Sequence, residues 1–160
     1  MTRVNGWRPP GWFRLWMICA TRGGDGWLWY TMGFALLFFG GAAALRPLAA
    51  AGLAVAIGSA CFITLKRWFR RPRPCAISKN CWADLLPPDQ FSFPSGHSIT
   101  AFAVATSLGM FYPDLMIGVM FCAFSVALSR IMLGMHFLSD VIAGSLIGAA
   151  LGYFSFIVLA

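Results

Sequence analysis

Long apolar runs separated by short polar breaks constrain this chain more than any other feature of its sequence. A membrane-spanning helix needs about 20 mostly apolar residues, and we predict five such spans, at residues 27–45, 48–65, 95–111, 115–133 and 137–159. Arg46 and Pro47 separate the first two. Residues 11–20 are too few to span and mix aromatic side chains with Arg14, which indicates an amphipathic helix in the membrane interface. The predicted fold class is an all-α integral membrane protein, a bundle of about five transmembrane helices plus an N-terminal interfacial amphipathic helix.

Composition supports this class and excludes a soluble globular domain. Hydrophobic residues make up 59% of the 160 residues and charged residues 11%, whereas about a quarter of the residues of a soluble domain are charged. The length predicts a single domain, residues 1–160. The net charge of +7 predicts an anionic membrane lipid or a phosphorylated membrane substrate as partner. We expect no nucleic acid partner, because so apolar a chain has little polar surface for a nucleic-acid groove.

Three polar clusters interrupt the apolar sequence, and the most informative one joins the fourth and fifth spans. Ionisable residues beside hydrocarbon are costly and usually face a protein interior or a watery cavity. His136 and Asp140 are four residues apart, so on a helix they share a face and can hydrogen bond. Arg130 lies about 120° from His136 on one continuous helix, and a bend at Gly134 would let both side chains reach one cavity. The alternative for His136 and Asp140 is a structural polar pair between helices.

The second cluster is Pro94-Ser95-Gly96-His97, at the start of the third span. Free backbone N–H groups at a helix N-terminus favour an anion, and His97 would stand in the first turn beside it. The alternative is a capped helix start with a histidine at the level of the lipid headgroups.

The remaining cluster is the basic segment 66–74, where the second span leaves the membrane. It is either a collar of side chains that reach the headgroups or an anion clamp, because Arg offers paired N–H donors to phosphate oxygens and Lys a compact charge. Five spans bring this segment, the start of the third span and the junction of the fourth and fifth to the same membrane face. That coincidence favours a single anion site.

Together the clusters resemble a known signature. Lys66-x6-Arg73-Pro74, Pro94-Ser95-Gly96-His97 and Ser129-Arg130-x5-His136-x3-Asp140 are similar to the three signature motifs of the type 2 phosphatidic acid phosphatase (PAP2) superfamily, in the family's order. The resemblance covers residues 66–140. It implies a metal-independent phosphatase without a cofactor, in a helical membrane bundle. The implied substrate is a lipid-linked phosphate or diphosphate of the phosphatidate, phosphatidylglycerophosphate, undecaprenyl (di)phosphate or lipid A type.

The resemblance also implies a role for each signature residue. His136 is the expected nucleophile that forms a phosphohistidine, Asp140 orients it, and His97 is the general acid that protonates the leaving group. The expected phosphate-binding groups are the side chains of Lys66, Arg73, Arg130 and Ser95 and the backbone N–H of Gly96. Two alternatives remain open: a lipid phosphotransferase using the same site, and a non-catalytic membrane protein that binds anionic lipid. A carboxylate cluster for Mg²⁺ is lacking, since Asp25, Asp84, Asp89 and Asp114 are dispersed in the sequence.

The two arguments on orientation disagree. The basic membrane face carries nearly all the Lys and Arg residues, and the positive-inside rule would place it in the cytoplasm. The resemblance instead implies a site on the outer, periplasmic face of the bacterial cytoplasmic (inner) membrane. We expect the outer face, because much of the positive charge belongs to the site. Cys75 and Cys81 share the polar loop between the second and third spans and could form a disulfide in such an oxidising compartment.

Overall fold

The computed structural model describes residues 9–74 and 90–160, which form a bundle of six α-helices. The helices are α1 (Gly11–Arg22), α2 (Leu28–Gly40), α3 (Leu45–Phe69), α4 (Gly96–Phe111), α5 (Met116–Met132) and α6 (Leu138–Leu159). Within these ranges there is no β-strand, only an isolated antiparallel bridge between Pro72 and Phe91. The predicted all-α class is confirmed. Cys75 and Cys81, with the disulfide that they could form, lie outside the described residues.

Three helical stretches in the described ranges are long and apolar enough to cross a membrane: Gly11–Phe69, Pro113–Met132 and Leu138–Leu159. The first combines α1, α2 and α3, which run on through breaks at Gly26 (φ 128°) and Gly41 (φ 53°). The five predicted spans correspond to α2 to α6. However, α4 has only 16 residues, fewer than a span of the bilayer core needs. The helix 11–20 is present as α1, and its position in the membrane interface remains a prediction.

The boundary between the first two spans differs from the prediction. We expected Arg46 and Pro47 to separate them, but α2 ends at Gly40 and a short 3-10 turn, Gly41–Ala44, leads into α3. Arg46 and Pro47 lie in the first turn of α3. A proline is tolerated there, because the first N–H groups of a helix have no partner within the helix.

The centre of the bundle is α4, which packs against α3, α5 and α6. Small residues make the α4–α6 approach close. Gly144, Gly148 and Gly152 on α6 face the backbone of α4, and a Cβ added at Gly144 would lie 2.6 Å from the carbonyl oxygen of Ser95. The glycine series therefore packs within the chain, where small residues let two helix backbones approach closely. Most residues of α4 are accordingly buried against these neighbours.

Two tethers fix the ends of α4 and α6 at the polar end of the bundle. The backbone N–H of Ser95 donates to the carbonyl oxygen of Asp140 at 3.1 Å, and the N–H of Ser92 donates to the carbonyl oxygen of Arg71 at 2.8 Å. The first bond joins the starts of α4 and α6. The second holds the segment after α3 against the segment before α4, so all three signature motifs meet at this end.

Candidate active site

A cavity of about 420 Å³ opens at the polar end of the bundle and collects most of the predicted site residues. Six of the eight line it: Lys66, Arg73, Gly96, His97, Arg130 and His136. The other two, Ser95 and Asp140, are fully buried behind the lining. The three motifs, which span 75 residues of sequence, thus contribute to one space.

His136 reaches the cavity because the chain turns back after α5. The helix ends at Met132, and Gly134 takes a left-handed φ of 73°, which a glycine adopts without strain. The N–H groups of Met135 and His136 both donate to the carbonyl oxygen of Arg130, at 3.1 Å each. On a continuous helix the side chains of Arg130 and His136 would point in different directions. The turn lets both side chains reach the same cavity.

The imidazole of His136 is held at both nitrogens. Nδ1 lies 2.7 Å from the carbonyl oxygen of Ser92. A carbonyl only accepts hydrogen bonds, so Nδ1 carries the proton and Nε2 has the lone pair. Nε2 lies 3.3 Å from Nη1 of Arg73, on the side of the cavity. The ring is therefore oriented with its unprotonated nitrogen toward a cationic group.

Asp140 does not make the direct hydrogen bond to His136 that the sequence spacing allows. Its Oδ2 is 3.9 Å from Nδ1 of His136, too long for a hydrogen bond. Oδ2 instead accepts the N–H of Phe137 at 2.9 Å, and Oδ1 accepts from Arg71 at 2.8 Å. Asp140 caps the start of α6 and acts on the imidazole through space, while the carbonyl of Ser92 orients the ring.

His97 lies in the first turn of α4. Ser95 is the N-cap residue of that helix: its Oγ accepts from the N–H of Ser98 at 3.4 Å and from the Ser98 hydroxyl at 2.9 Å. Gly96 lies against the ring of Phe62, where an added Cβ would be 2.8 Å from Cε2. Ser95 thus caps the start of α4, and the next two residues, Gly96 and His97, line the cavity.

Three buried cations face the same cavity. Nη1 of Arg130 donates to the Thr21 hydroxyl at 2.6 Å, and Nη1 of Arg73 donates to the carbonyl oxygen of Met135 at 2.9 Å. Nζ of Lys66, at the end of α3, lies 4.2 Å from the centre of the Phe62 ring. The cavity lining includes one acidic residue, Asp25. The excess of positive charge in a mostly buried space favours an anion with several oxygens, such as a phosphate.

These surroundings set the protonation of His136, which lies in the turn between α5 and α6, outside both membrane-spanning stretches. Burial lowers its pKa to about 4, and Arg73 and Arg130 act in the same direction, against the opposite effect of Asp140. His136 is therefore neutral at pH 7, which is the form of an imidazole that can attack phosphorus.

Metal ligands are not grouped in the part of the chain that the structure describes. No set of three or more His, Cys, Asp or Glu side chains there is placed to hold a metal ion. The cavity instead offers guanidinium and ammonium groups, which repel a divalent cation.

Comparison with known proteins identifies the family. A family model of the PAP2 superfamily matches residues 47–160, well over half the chain. The chain belongs to the PAP2 superfamily. The resemblance found in the sequence is therefore confirmed.

Named PAP2 relatives act on lipid phosphates. This PAP2 chain is 34% identical to lipid A 1-phosphatase of Rhizobium johnstonii, over 86% of this chain and 64% of that protein. It is also 34% identical to decaprenylphosphoryl-5-phosphoribose phosphatase of Mycobacterium tuberculosis, over 85% of this chain and 77% of that protein. The crystal structure of Aquifex aeolicus LpxE superposes with a TM-score of 0.80 and 28% identity, over 96% of this chain and 90% of that chain. The chain is thus a membrane protein of a lipid phosphatase family.

Several residues of the site lie outside the predicted set. Arg71 holds Asp140, Ser92 holds His136, Thr21 holds Arg130, and Asp25 lies 2.7 Å from Nε2 of His97. Arg71 belongs to the basic segment that the sequence singled out. Nothing in the local sequence around Thr21 or Ser92 marks them, because their partners are 109 and 44 residues away.

Proposed function

We propose that this chain hydrolyses a phosphomonoester or diphosphate on a membrane lipid, without a metal ion, through a phosphohistidine intermediate at His136. The observation that carries the proposal is the cavity itself, which two histidines and three cations line. Nε2 of His136 is the nucleophile, with its lone pair directed to the cavity by the bond from Nδ1 to Ser92. His97, in the first turn of α4, protonates the leaving oxygen.

The cations support the proposal because phosphoryl transfer depends mainly on positioning and on neutralising the charge of the phosphoryl oxygens. Lys66, Arg73 and Arg130 come from three separate parts of the chain, and each is buried. Their heads are fixed before the substrate arrives, so little reorganisation is needed in the transition state. In this role they replace the divalent ion that many phosphoryl-transfer enzymes use.

An apolar groove supports a lipid as the carrier of the phosphate. The groove encloses about 410 Å³ between α2, α3 and α4, and it shares Gly26, Tyr30, Val55 and Thr100 with the site cavity. A phosphate in the cavity could therefore remain attached to a hydrocarbon chain in the groove. The substrate class we propose is a phosphorylated lipid of the lipid A, phosphatidylglycerophosphate, phosphatidate or undecaprenyl (di)phosphate type.

The test is phosphate release in detergent from a panel of those four lipids, in the presence of EDTA. We expect the wild-type protein to release phosphate from at least one of them. His136→Ala should abolish release, and a ³²P-labelled substrate should leave an acid-labile, alkali-stable label on the wild-type protein alone. Arg73→Gln should reduce kcat/KM at least about 100-fold. The matched control is Arg67→Gln, which changes an exposed arginine and should leave kcat/KM unchanged. Full activity of His136→Ala would overturn the mechanism.

We also propose that the site faces the periplasm from the bacterial inner membrane. Cysteine labelling in intact cells with a membrane-impermeant maleimide tests this, after reduction, at Cys75 and Cys81. In the sequence both cysteines lie between the end of α3 and the start of α4, and Lys66 and Gly96 at those two helix ends line the cavity. Labelling only after the cells are permeabilised would place the site in the cytoplasm.

A further inference from the structure

A glycine-rich turn outside the three signature motifs carries a carboxylate into the site. The turn is the π-helical segment Gly23–Trp27, which joins α1 to α2. Gly24 is packed so closely that an added Cβ would lie 2.8 Å from Cγ1 of Val126 and 3.3 Å from Cδ2 of His97, and Gly26 has a φ of 128°. A side chain at Gly24 would push the turn away from His97, and one at Gly26 would strain the backbone of the turn. The glycines therefore allow the turn to bring Asp25 against that histidine.

The contact between Asp25 and His97 is short and specific. Oδ1 of Asp25 lies 2.7 Å from Nε2 of His97, and the two side chains are 43% and 21% exposed. A carboxylate accepts, so Nε2 carries a proton. Nδ1 of His97 has no hydrogen-bond partner within the described ranges. It is also absent from the set of fully buried polar atoms without a partner there, so it is accessible. Nδ1 is therefore the nitrogen that remains open to a substrate.

The charges around His97 give the carboxylate of Asp25 its importance for the protonation of that histidine. In the part of the chain that the structure describes, the charged groups that act on His97 are Arg73, Arg130 and Asp25. Two cations near an imidazole disfavour a further positive charge on it, whereas a carboxylate in contact favours that charge. A general acid has to carry its proton before the reaction, so the cationic site that suits a phosphate works against its own acid. Asp25 acts in the opposite direction to the two arginines.

We propose that Asp25 is a positioning residue that fixes the ring of His97 and stabilises its imidazolium form. The inference rests on the proposed function and deepens it. In the first step a bond forms between Nε2 of His136 and phosphorus, the bond from phosphorus to the leaving oxygen breaks, and the proton on Nδ1 of His97 passes to that oxygen. In the second step Nδ1 takes a proton from water as the water oxygen attacks phosphorus, and the nitrogen–phosphorus bond breaks. Asp25 holds the same Nε2 proton throughout.

The test compares two substrates in Asp25→Asn, which keeps the shape of the side chain and removes its charge. Phosphatidate has an alcohol leaving group that needs a proton, whereas the nitrophenolate of p-nitrophenyl phosphate leaves without one. We expect Asp25→Asn to lower kcat for phosphatidate about 10- to 100-fold with KM within about threefold, since general acid catalysis contributes about 10²–10⁴-fold. The first-turnover burst of nitrophenolate should stay within about threefold of wild type. Asp114→Asn is the matched control, because Asp114 is exposed in the turn between α4 and α5.

A double-mutant cycle and a stability measurement complete the design. In a His97→Ala background, Asp25→Asn should cause no further loss, because the group it acts through is gone. Asp25→Glu, which restores the carboxylate, should recover part of the phosphatidate rate. Equal losses on both substrates together with a lower Tm would show a merely structural role and overturn the inference, as would an unchanged phosphatidate rate in Asp25→Asn. If wild type releases no phosphate from any lipid of the panel, the proposed function itself fails.

Discussion

Replacing Gly144 by alanine tests how closely α6 must approach α4 for the site to form. The new Cβ would lie 2.6 Å from the carbonyl oxygen of Ser95 and 3.2 Å from Cβ of Ser98. The first distance is about 0.8 Å inside the 3.4 Å at which ordinary contacts begin. A backbone carbonyl in a helix cannot rotate away, so α6 has to move. Overpacking of this kind costs about 1–3 kcal/mol, which lowers Tm by roughly 2–12 °C for a chain of this size.

The same displacement should reach the chemistry, because Ser95 and Asp140 are joined by a backbone hydrogen bond at this crossing. A misplacement of about 1 Å can reduce a rate about 100-fold, so we expect kcat for the best lipid substrate to fall about 10- to 100-fold. Gly152→Ala is the informative comparison. Its Cβ would lie 2.5 Å from the carbonyl oxygen of Ala103, two turns further from the site, so it should lower Tm similarly with a smaller effect on kcat.

The assay is thermal unfolding in detergent, followed by phosphate release per folded molecule. Gly118→Ala provides the baseline, because an added Cβ there meets nothing within 4 Å and alanine is favoured over glycine in a helix by about 0.5–1 kcal/mol. Its Tm should equal or exceed that of wild type. If Gly144→Ala has the same Tm as Gly118→Ala, α4 and α6 are not packed as closely as described. If its monomer Tm is unchanged while a dimer dissociates, the glycines form an intermolecular seam.

Four other outcomes follow from the site. Arg71→Gln should lower both Tm and kcat because it leaves the buried carboxylate of Asp140 without its cation, whereas Arg70→Gln, on an exposed neighbour, should change neither. The low-pH limb of the rate profile that reports the nucleophile should have its midpoint near 4, the lowered pKa of His136, and not near the ordinary 6.5. Because an unfolded chain takes up that proton at about 6.5, stability should fall as the pH drops from 6.5 to 4, and His136→Gln should flatten this dependence. Orthophosphate should raise the Tm of wild type more than that of Arg73→Gln. A ligand that binds only the folded state raises the free energy of unfolding by about 2.7 kcal/mol when its concentration is about 100 times its Kd.

The sequence predicted those parts of the molecule that depend on helix ends. The segment 66–74, the start of α4 and the turn before α6 lie at one end of the bundle because helices of alternating direction bring every second junction to the same side. Gly134 was expected to bend the chain, and its left-handed φ of 73° lets Arg130 and His136 share the cavity. These features follow from local chemistry, namely apolar length, helix capping and the conformational freedom of glycine.

What the sequence did not predict depends on contacts between distant segments. Arg71 reaches Asp140 because Arg70 takes a left-handed φ of 42° and turns the chain after α3, a conformation that nothing in the basic run marks. The orientation of His136 depends on a backbone carbonyl of Ser92, and every residue has a carbonyl, so composition carries no trace of it. One helix end was also missed for a local reason: α2 ends at Gly40 and not at Arg46-Pro47, because Pro47, a helix breaker in most contexts, is tolerated in a first turn.

The two histidines have different partners, and the difference matches the two roles proposed for them. His136 donates to a neutral carbonyl, which orients the ring and favours a positive charge less than a carboxylate in contact does, and the carboxylate of Asp140 is engaged by Arg71 and by the N–H of Phe137. His97 donates to a carboxylate, which favours the imidazolium. A nucleophile has to be neutral and a general acid has to be charged, at the same pH and in the same cationic cavity. Pairs of titratable groups placed in contrasting environments are how enzymes obtain an acid and a base from one kind of side chain. Here the contrast comes from Ser92 on one side and Asp25 on the other, and neither belongs to the motifs that identify the family.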